Sequence, residues 1–206
     1  MGNTDKFEQM ATKYDSPLRI EVAVKAADAI RSYVQDASHK HAIDFGCGTG
    51  LVGLELVSDF RSILFIDSSQ NMIHEVDKKI ADAGIQNAST LCFDLEQEQL
   101  KEGAADYIFM SQVLLHIADV ESILSRLYGM LNEGGHVIIV DFDRHEGIDS
   151  ELVHPGFVQA ELAAMMTRIG YTDIQSHTFY EGERLFMNQD ATMFVLDARK
   201  GNGVQA

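Results

Sequence analysis

Short, nearly continuous apolar runs recur along this chain, and most are followed by longer stretches whose apolar residues fall three and four positions apart. Strands covered on both faces are apolar throughout, whereas a helix lying on a sheet needs only one apolar stripe. The alternation therefore predicts βαβ units and a buried parallel sheet. Strands are expected to begin at His41, Ser62, Ser89, Tyr107 and His136, with helices over Leu51 to Val57, Ser69 to Ala83 and Val120 to Leu131. Gly84 and the pair Gly134-Gly135 read as helix stops, because a helix readily ends on a residue that tolerates left-handed backbone. Asp119 is placed to cap the helix that ends near Leu131.

Beyond Asp143 the rhythm changes. Arg144 to Pro155 is polar and irregular, Phe157 to Ile169 reads as a helix ended by Gly170, and apolar runs follow at Asp173 to Tyr180 and Ala191 to Lys200. The charged segment Glu181 to Asp190 joins these two runs with no helix between them, so they are expected to pair as an antiparallel hairpin. Before the first strand, Phe7 to His39 has helical periods interrupted by Tyr14-Asp15-Ser16-Pro17. There is no internal repeat, linker or low-complexity stretch, so 206 residues read as one α/β domain spanning 1–206.

A net charge of −16 sets the chain against nucleic-acid phosphates and anionic membranes, and no Lys/Arg cluster provides a local exception. The start of the chain has no basic region followed by an apolar run, and no run approaches the roughly 18 apolar residues of a membrane span. Cys47 sits in a glycine-rich turn and Cys92 inside an apolar run, which suits free thiols in a reducing cytoplasm better than a disulfide.

The chemistry concentrates in Ile43-Asp44-Phe45-Gly46-Cys47-Gly48-Thr49-Gly50, where an apolar strand runs into three glycines at alternate positions. Such a loop lets a ligand approach the main chain closely. Two cofactor classes use loops of this kind. The overlapping pattern Gly48-x-Gly50-x-x-Gly53, with Asp67 nineteen residues after Gly48, is also compatible with a dinucleotide. Asp44 favours the other class: a carboxylate suits a ligand bearing an ammonium group and opposes a pyrophosphate.

The segment Asp44 to Gly50 resembles the first signature of the class I S-adenosylmethionine-dependent methyltransferases, D/E-x-G-x-G-x-G. The likeness runs through nearly the whole chain. It implies a three-layer Rossmann-like sandwich with a mostly parallel seven-stranded sheet, an antiparallel C-terminal strand and an N-terminal helical lid over residues 1–40, where Phe7, Tyr14 and Asp15 resemble an F-x(n)-Y-D opening. It implies S-adenosylmethionine as cofactor and a small-molecule methyl acceptor as partner.

Carried over residue by residue, the resemblance assigns Asp44, Phe45, Gly46, Cys47, Gly48 and Gly50 to the methionyl end of the cofactor. Asp67 and Ser68 fall at the ribose, where one carboxylate can accept from both hydroxyls; the alternative for Asp67 is a helix cap. Met72 falls on the adenine face. In Leu91-Cys92-Phe93-Asp94-Leu95 the likeness places Asp94 at the exocyclic amine, Phe93 on the wall and the Leu95 amide at the ring. Ser111 and Gln112, at the end of the fourth strand, fall beside the transferred methyl. His116 lies one turn further, either as general base or as pocket wall, and Tyr14 is the other catalytic candidate.

Asp141, His145 and His154 are weaker candidates. Asp141, Asp143 and His145 could together hold a metal, although acidic residues after a strand are more often solvated loop, and no metal is expected. The histidines at 39, 41, 74, 136 and 177 show no ligand spacing. Neither the Asn/Asp-Pro-Pro-aromatic signature of amide and adenine methylation nor a Pro-Cys nucleophile is present. A short NAD(P)-dependent reductase would need Tyr-x-x-x-Lys, and none of the tyrosines has that lysine. A methyltransferase-like protein that binds cofactor without transferring methyl groups is a further alternative.

Overall fold

A computed structural model describes residues 14–94, 105–150 and 153–201. Helix α1 (Pro17–Arg31) opens the described chain, with Pro17 in its first turn and the Ser16 hydroxyl accepting the Arg19 N–H. Its buried side is Val22, Ala23, Ala26, Ala27 and Ile30. A 3-10 turn over Ala37–His39 leads into β1 (His41–Phe45), followed by α2 (Leu51–Leu56), β2 (Ser62–Asp67), α3 (Gln70–Ala83) and β3 (Ala88–Cys92). Then come β4 (Ala105–Ser111), a 3-10 turn at Leu114–His116, α4 (Val120–Met130), β5 (Leu131–Phe142), α5 (Gln159–Ile169), β6 (Tyr171–Phe186) and β7 (Gln189–Lys200).

The strands form one seven-stranded sheet in the order β3-β2-β1-β4-β5-β7-β6. The first five are parallel; β7 is antiparallel to both β5 and β6. Helices flank this sheet, and its central strands are the core: Ile63, Phe65, Ile66, Ile108, Phe109, Met110 and the run Val137 to Val140 have no solvent exposure. The order reverses between β1 and β4, where crossover connections leave the first parallel strand in opposite directions and open a crevice at the strands' carboxyl ends.

The expected hairpin forms and is longer than its apolar runs suggested. Glu181 pairs with Thr192 and Phe186 with Gln189, so most of the charged segment is strand. The turn itself is only Met187-Asn188, both at positive φ (48° and 64°), the conformation that two-residue hairpins favour. Several boundaries differ from expectation: β3 begins at Ala88 rather than Ser89, β4 at Ala105 rather than Tyr107 and β5 at Leu131 rather than His136. Gly134-Gly135 is not the stop of α4: the helix passes directly into β5 at Leu131, whose N–H still bonds the Leu127 and Tyr128 carbonyls, and the glycines lie within the strand. Helix α5 begins at Gln159 rather than Phe157, because Phe157 is held in a bridge to Asp143. The helix stops at Gly84 and Gly170 and the Asp119 cap are as expected. No described helix is long and apolar enough to cross a membrane.

Candidate functional site

A cavity of about 200 Å³ lies at the carboxyl ends of β1, β2 and β4. That is more than ten times the roughly 15 Å³ a single water needs. It gathers residues from well-separated stretches of sequence, and the strand ends explain how. β1 delivers Phe45, Gly46, Cys47 and Gly48; β2 delivers Ile66, Asp67 and Ser68; α3 turns Met72 inward; the end of β3 supplies Phe93 and Asp94; β4 supplies Ser111, Gln112, Val113, His116 and Ile117. Tyr14, Arg19 and Ala23 close it from the N-terminal side.

The glycine loop has a fixed shape. Gly46, Gly48 and Gly50 all have positive φ, the Cys47 N–H bonds the Ile66 carbonyl at 2.9 Å, and the Gly50 N–H bonds the Cys47 carbonyl at 2.8 Å. Gly46 must be glycine for a second reason: a Cβ there would lie 2.6 Å and 2.9 Å from the two Val113 methyls. The Asp67 carboxylate stands over the loop, one oxygen accepting the Gly48 N–H at 2.8 Å and the other the Ser69 N–H at 2.9 Å. It therefore joins the glycine loop to the start of α3, whose own cap is the Ser69 hydroxyl. Burial pushes the Cys47 thiol well above its ordinary value, so it is held as a thiol rather than a nucleophilic thiolate.

Two of the residues assigned from sequence are not brought to the cavity wall. Asp44 is buried beneath the loop, where a carboxylate oxygen accepts the Gly53 N–H at 3.1 Å. Burial is the main reason that its pKa rises to about 8, with the nearby Asp67 charge adding to it and the Gly53 bond opposing. Asp44 braces the loop onto α2 and does not face a ligand. Gly50 caps α2 and packs on Val76. Gly53 is explained by the same packing: a Cβ there would collide with the Asp44 carboxylate and lie 2.5 Å from the Phe65 ring. The third glycine of the apparent dinucleotide pattern is thus a helix-to-strand contact. Leu95 and Phe7 lie outside the described residues.

Of the groups that secure the N-terminal side, the sequence pointed to Tyr14 and Asp15 but not to Lys79 or Arg19. Asp15 bonds the Thr49 hydroxyl and pairs with Lys79 at 2.7 Å, while Lys79 also donates to the Thr49 carbonyl at 2.7 Å. This three-cornered clamp fixes Tyr14-Asp15 over the glycine loop. The Arg19 guanidinium lies 4.1 Å from the Tyr14 ring centroid and donates to the Tyr14 carbonyl. Burial pushes the Tyr14 phenol up, and the Arg19 charge opposes that shift. Among the described wall residues, Arg19 is the only Lys or Arg.

The remaining candidates are held elsewhere. Asp143 accepts from Gln159, Thr178 and Thr192, His145 Nδ1 accepts the Gly147 N–H, and Asp141 is buried against backbone amides. Among the described residues no group of three His, Cys, Asp or Glu side chains is placed to hold a metal. The His154 ring stacks on Phe157 at 4.5 Å, away from the cavity wall.

Comparison with known proteins bears on this geometry. Residues 43–137, from the glycine loop to β5, match the methyltransferase domain family. Over that stretch, just under half of its length, the chain resembles a methyltransferase domain. Its fold is that of the class I enzymes. A methyltransferase described as a possible histamine N-methyltransferase, from Thermotoga maritima, superposes with a TM-score of 0.74 at 17% identity, over 96% of this chain and 99% of that one. The [4+2]-cyclase SpnF superposes with a TM-score of 0.75 at 18% identity, over 87% of this chain and 81% of that one. Among curated proteins, the biotin biosynthesis bifunctional protein BioHC of Saccharophagus degradans is 30% identical over 132 residues, 64% of this chain and 23% of that protein. Two further curated relatives are spanned over 62% and 33% of their lengths, so this chain corresponds to only part of each.

Proposed function

We propose that this chain, acting as one domain over residues 1–206 in the cytoplasm, transfers a methyl group from S-adenosylmethionine to a small-molecule acceptor. The observation that carries the reading is the convergence on one cavity of the glycine loop, the Asp67 carboxylate, the Phe93-Asp94 wall and the Ser111 to Ile117 segment.

These residues fit the cofactor chemically. Asp67, oriented by two backbone amides, presents acceptor oxygens suited to the ribose hydroxyls, with Ser68 beside it. Ile66, Met72 and Phe93 form an apolar slot for a purine, and Asp94 is the acceptor for its exocyclic amine. The open backbone at Gly46 to Gly48, with Ser111 and Gln112 opposite, suits the amino-acid end, and Arg19 supplies the cation that its carboxylate needs. When bound, S-adenosylmethionine supplies a methyl group already activated on a sulfonium. The protein's task is then alignment and exclusion of water: the clamp at Asp15 closes one side, and the wall from Gln112 to Ile117 sets the path of the acceptor. His116 takes a proton only where the acceptor is protonated, while Tyr14, the other catalytic candidate, keeps its phenol proton and can serve as a hydrogen-bond donor.

The acidic wall residues Asp67 and Asp94 disfavour a pyrophosphate, and with it a nicotinamide cofactor. A second reading has one observation behind it: the cyclase above carries the same fold under a different chemistry, so cofactor binding without methyl transfer is a coherent outcome. Calorimetric titration with S-adenosylhomocysteine and NADPH tests the cofactor. Binding of the former and not the latter is expected; the reverse would overturn the reading.

A further inference from the structure

Outside the cavity, the most completely buried carboxylate is Asp141, near the end of β5 and with no solvent exposure. Among the described residues, the groups that act on it are backbone amides. One oxygen accepts the Phe142 N–H at 2.8 Å, the other the Leu115 N–H at 3.3 Å, and the Leu114 amide also bonds to the carboxylate. Two of these three donors belong to the 3-10 turn Leu114–His116, which is remote in sequence and carries a cavity-lining histidine.

Backbone hydrogen bonds fasten the same segment on its other sides. The Gln112 N–H bonds the Val140 carbonyl at 2.8 Å, and the His154 N–H bonds the Leu115 carbonyl at 2.7 Å. Gln112 has a left-handed φ of 57°, which a side chain bearing a Cβ adopts only when its surroundings impose it. Val113, the next residue, fills the space left by the missing side chain of Gly46. The wall therefore has a polar side-chain anchor, Asp141, on the side away from the cavity and a steric stop, Gly46, on the other.

We infer that Asp141 is the positioning residue of this site: its carboxylate holds the Leu114 and Leu115 amides and thereby fixes where the Gln112–Ile117 wall places His116. The inference rests on the methyl-transfer reading for its catalytic consequence and on the geometry alone for its mechanical one. A buried acid retained without a counter-charge is costly to the fold. Here it satisfies three backbone donors that a hydrophobic replacement would leave without an acceptor.

The test compares Asp141→Asn with Asp197→Asn, a second buried acid, which pairs with His136 away from the cavity. In Asp141→Asn an amide nitrogen replaces one acceptor oxygen and faces a backbone donor. Amide exchange at Leu114 and Leu115 is expected to quicken roughly fivefold, and the His116 imidazole resonance to move, in the free protein. Asp197→Asn should do neither. With an acceptor in hand, turnover should fall roughly tenfold or more for Asp141→Asn, with the affinity for S-adenosylhomocysteine changed by less than about threefold. Unchanged exchange and an unmoved His116 signal in Asp141→Asn would overturn the inference, as would equal effects from Asp197→Asn. Failure of the wild-type protein to bind S-adenosylhomocysteine would instead defeat the proposed function, because the exchange and resonance readouts need no ligand.

Discussion

Replacing Gly46 with alanine separates two costs that the glycine loop combines. The left-handed backbone at φ +67° is about 1–2 kcal/mol less favourable for a residue with a Cβ. The new Cβ would also lie 2.6 Å and 2.9 Å from the Val113 methyls, an overpacking of the kind that costs about 1–3 kcal/mol. Together Gly46→Ala should lose about 2–5 kcal/mol of stability. Gly84 is the internal control: its φ is +65° and a Cβ there would meet nothing within 4 Å, so only the backbone cost remains. The loss of unfolded-chain entropy, about 0.4–1 kcal/mol in favour of alanine, offsets both variants alike. Urea denaturation followed by circular dichroism should therefore place Gly46→Ala about 1–3 kcal/mol below Gly84→Ala. Because Val113 is a wall residue, Gly46→Ala should also weaken S-adenosylhomocysteine binding, and Gly84→Ala should leave it unchanged. Equal stability of the two variants, with equal affinity, would refute the account of how the loop meets the wall.

Asp67→Ala should cost roughly tenfold or more in S-adenosylhomocysteine affinity by calorimetry, since hydrogen bonds to a charged group contribute about 1.5–3 kcal/mol; an unchanged affinity would remove Asp67 from the site. Lys79→Met should lower stability by at most about 1 kcal/mol, as for a partly exposed ion pair, and should speed S-adenosylhomocysteine dissociation in stopped flow by releasing Asp15. For Asp44 the folded pKa of about 8 lies above the ordinary carboxylate value, so the folded state holds the extra proton. Its contribution to stability is fully present below about pH 4 and is lost as pH rises through about 8. The stability difference between wild type and Asp44→Asn should therefore move against the wild type between about pH 5 and 8 and level off above that; a difference independent of pH would show Asp44 not to be a buried, proton-sensitive brace.

The alternation of apolar runs and helical periods exposed the sheet because a doubly covered strand has no polar face to disguise it. The C-terminal hairpin was legible in direction but not in length: the polar residues Glu181 to Arg184 pair on an edge strand, where side chains remain solvated and carry no burial pattern. Sequence position placed Gly46, Gly48, Asp67, Met72, Phe93, Asp94, Ser111, Gln112, His116 and Tyr14 on one cavity wall. It misdirected Asp44, because a short acidic side chain at a strand end can turn toward the ligand or under the following helix, and only the third dimension shows Gly53 leaving room for it. Arg19 and Lys79 escaped notice, and Asp141 was read only as a weaker catalytic or metal candidate, for a related reason. Their partners are, respectively, a ring five residues away, a carbonyl thirty residues away and two amides on another strand's loop, relations that spacing does not encode.

The central claim is methyl transfer, and it is tested most directly by incubating the protein with S-adenosylmethionine carrying an isotopically labelled methyl group and a panel of small metabolites. Mass spectrometry is expected to find the label in one acceptor class, with S-adenosylhomocysteine formed in equal amount and both products lost in Asp67→Ala. Tight S-adenosylmethionine binding with no label transferred to any acceptor, and no S-adenosylhomocysteine formed, would contradict it.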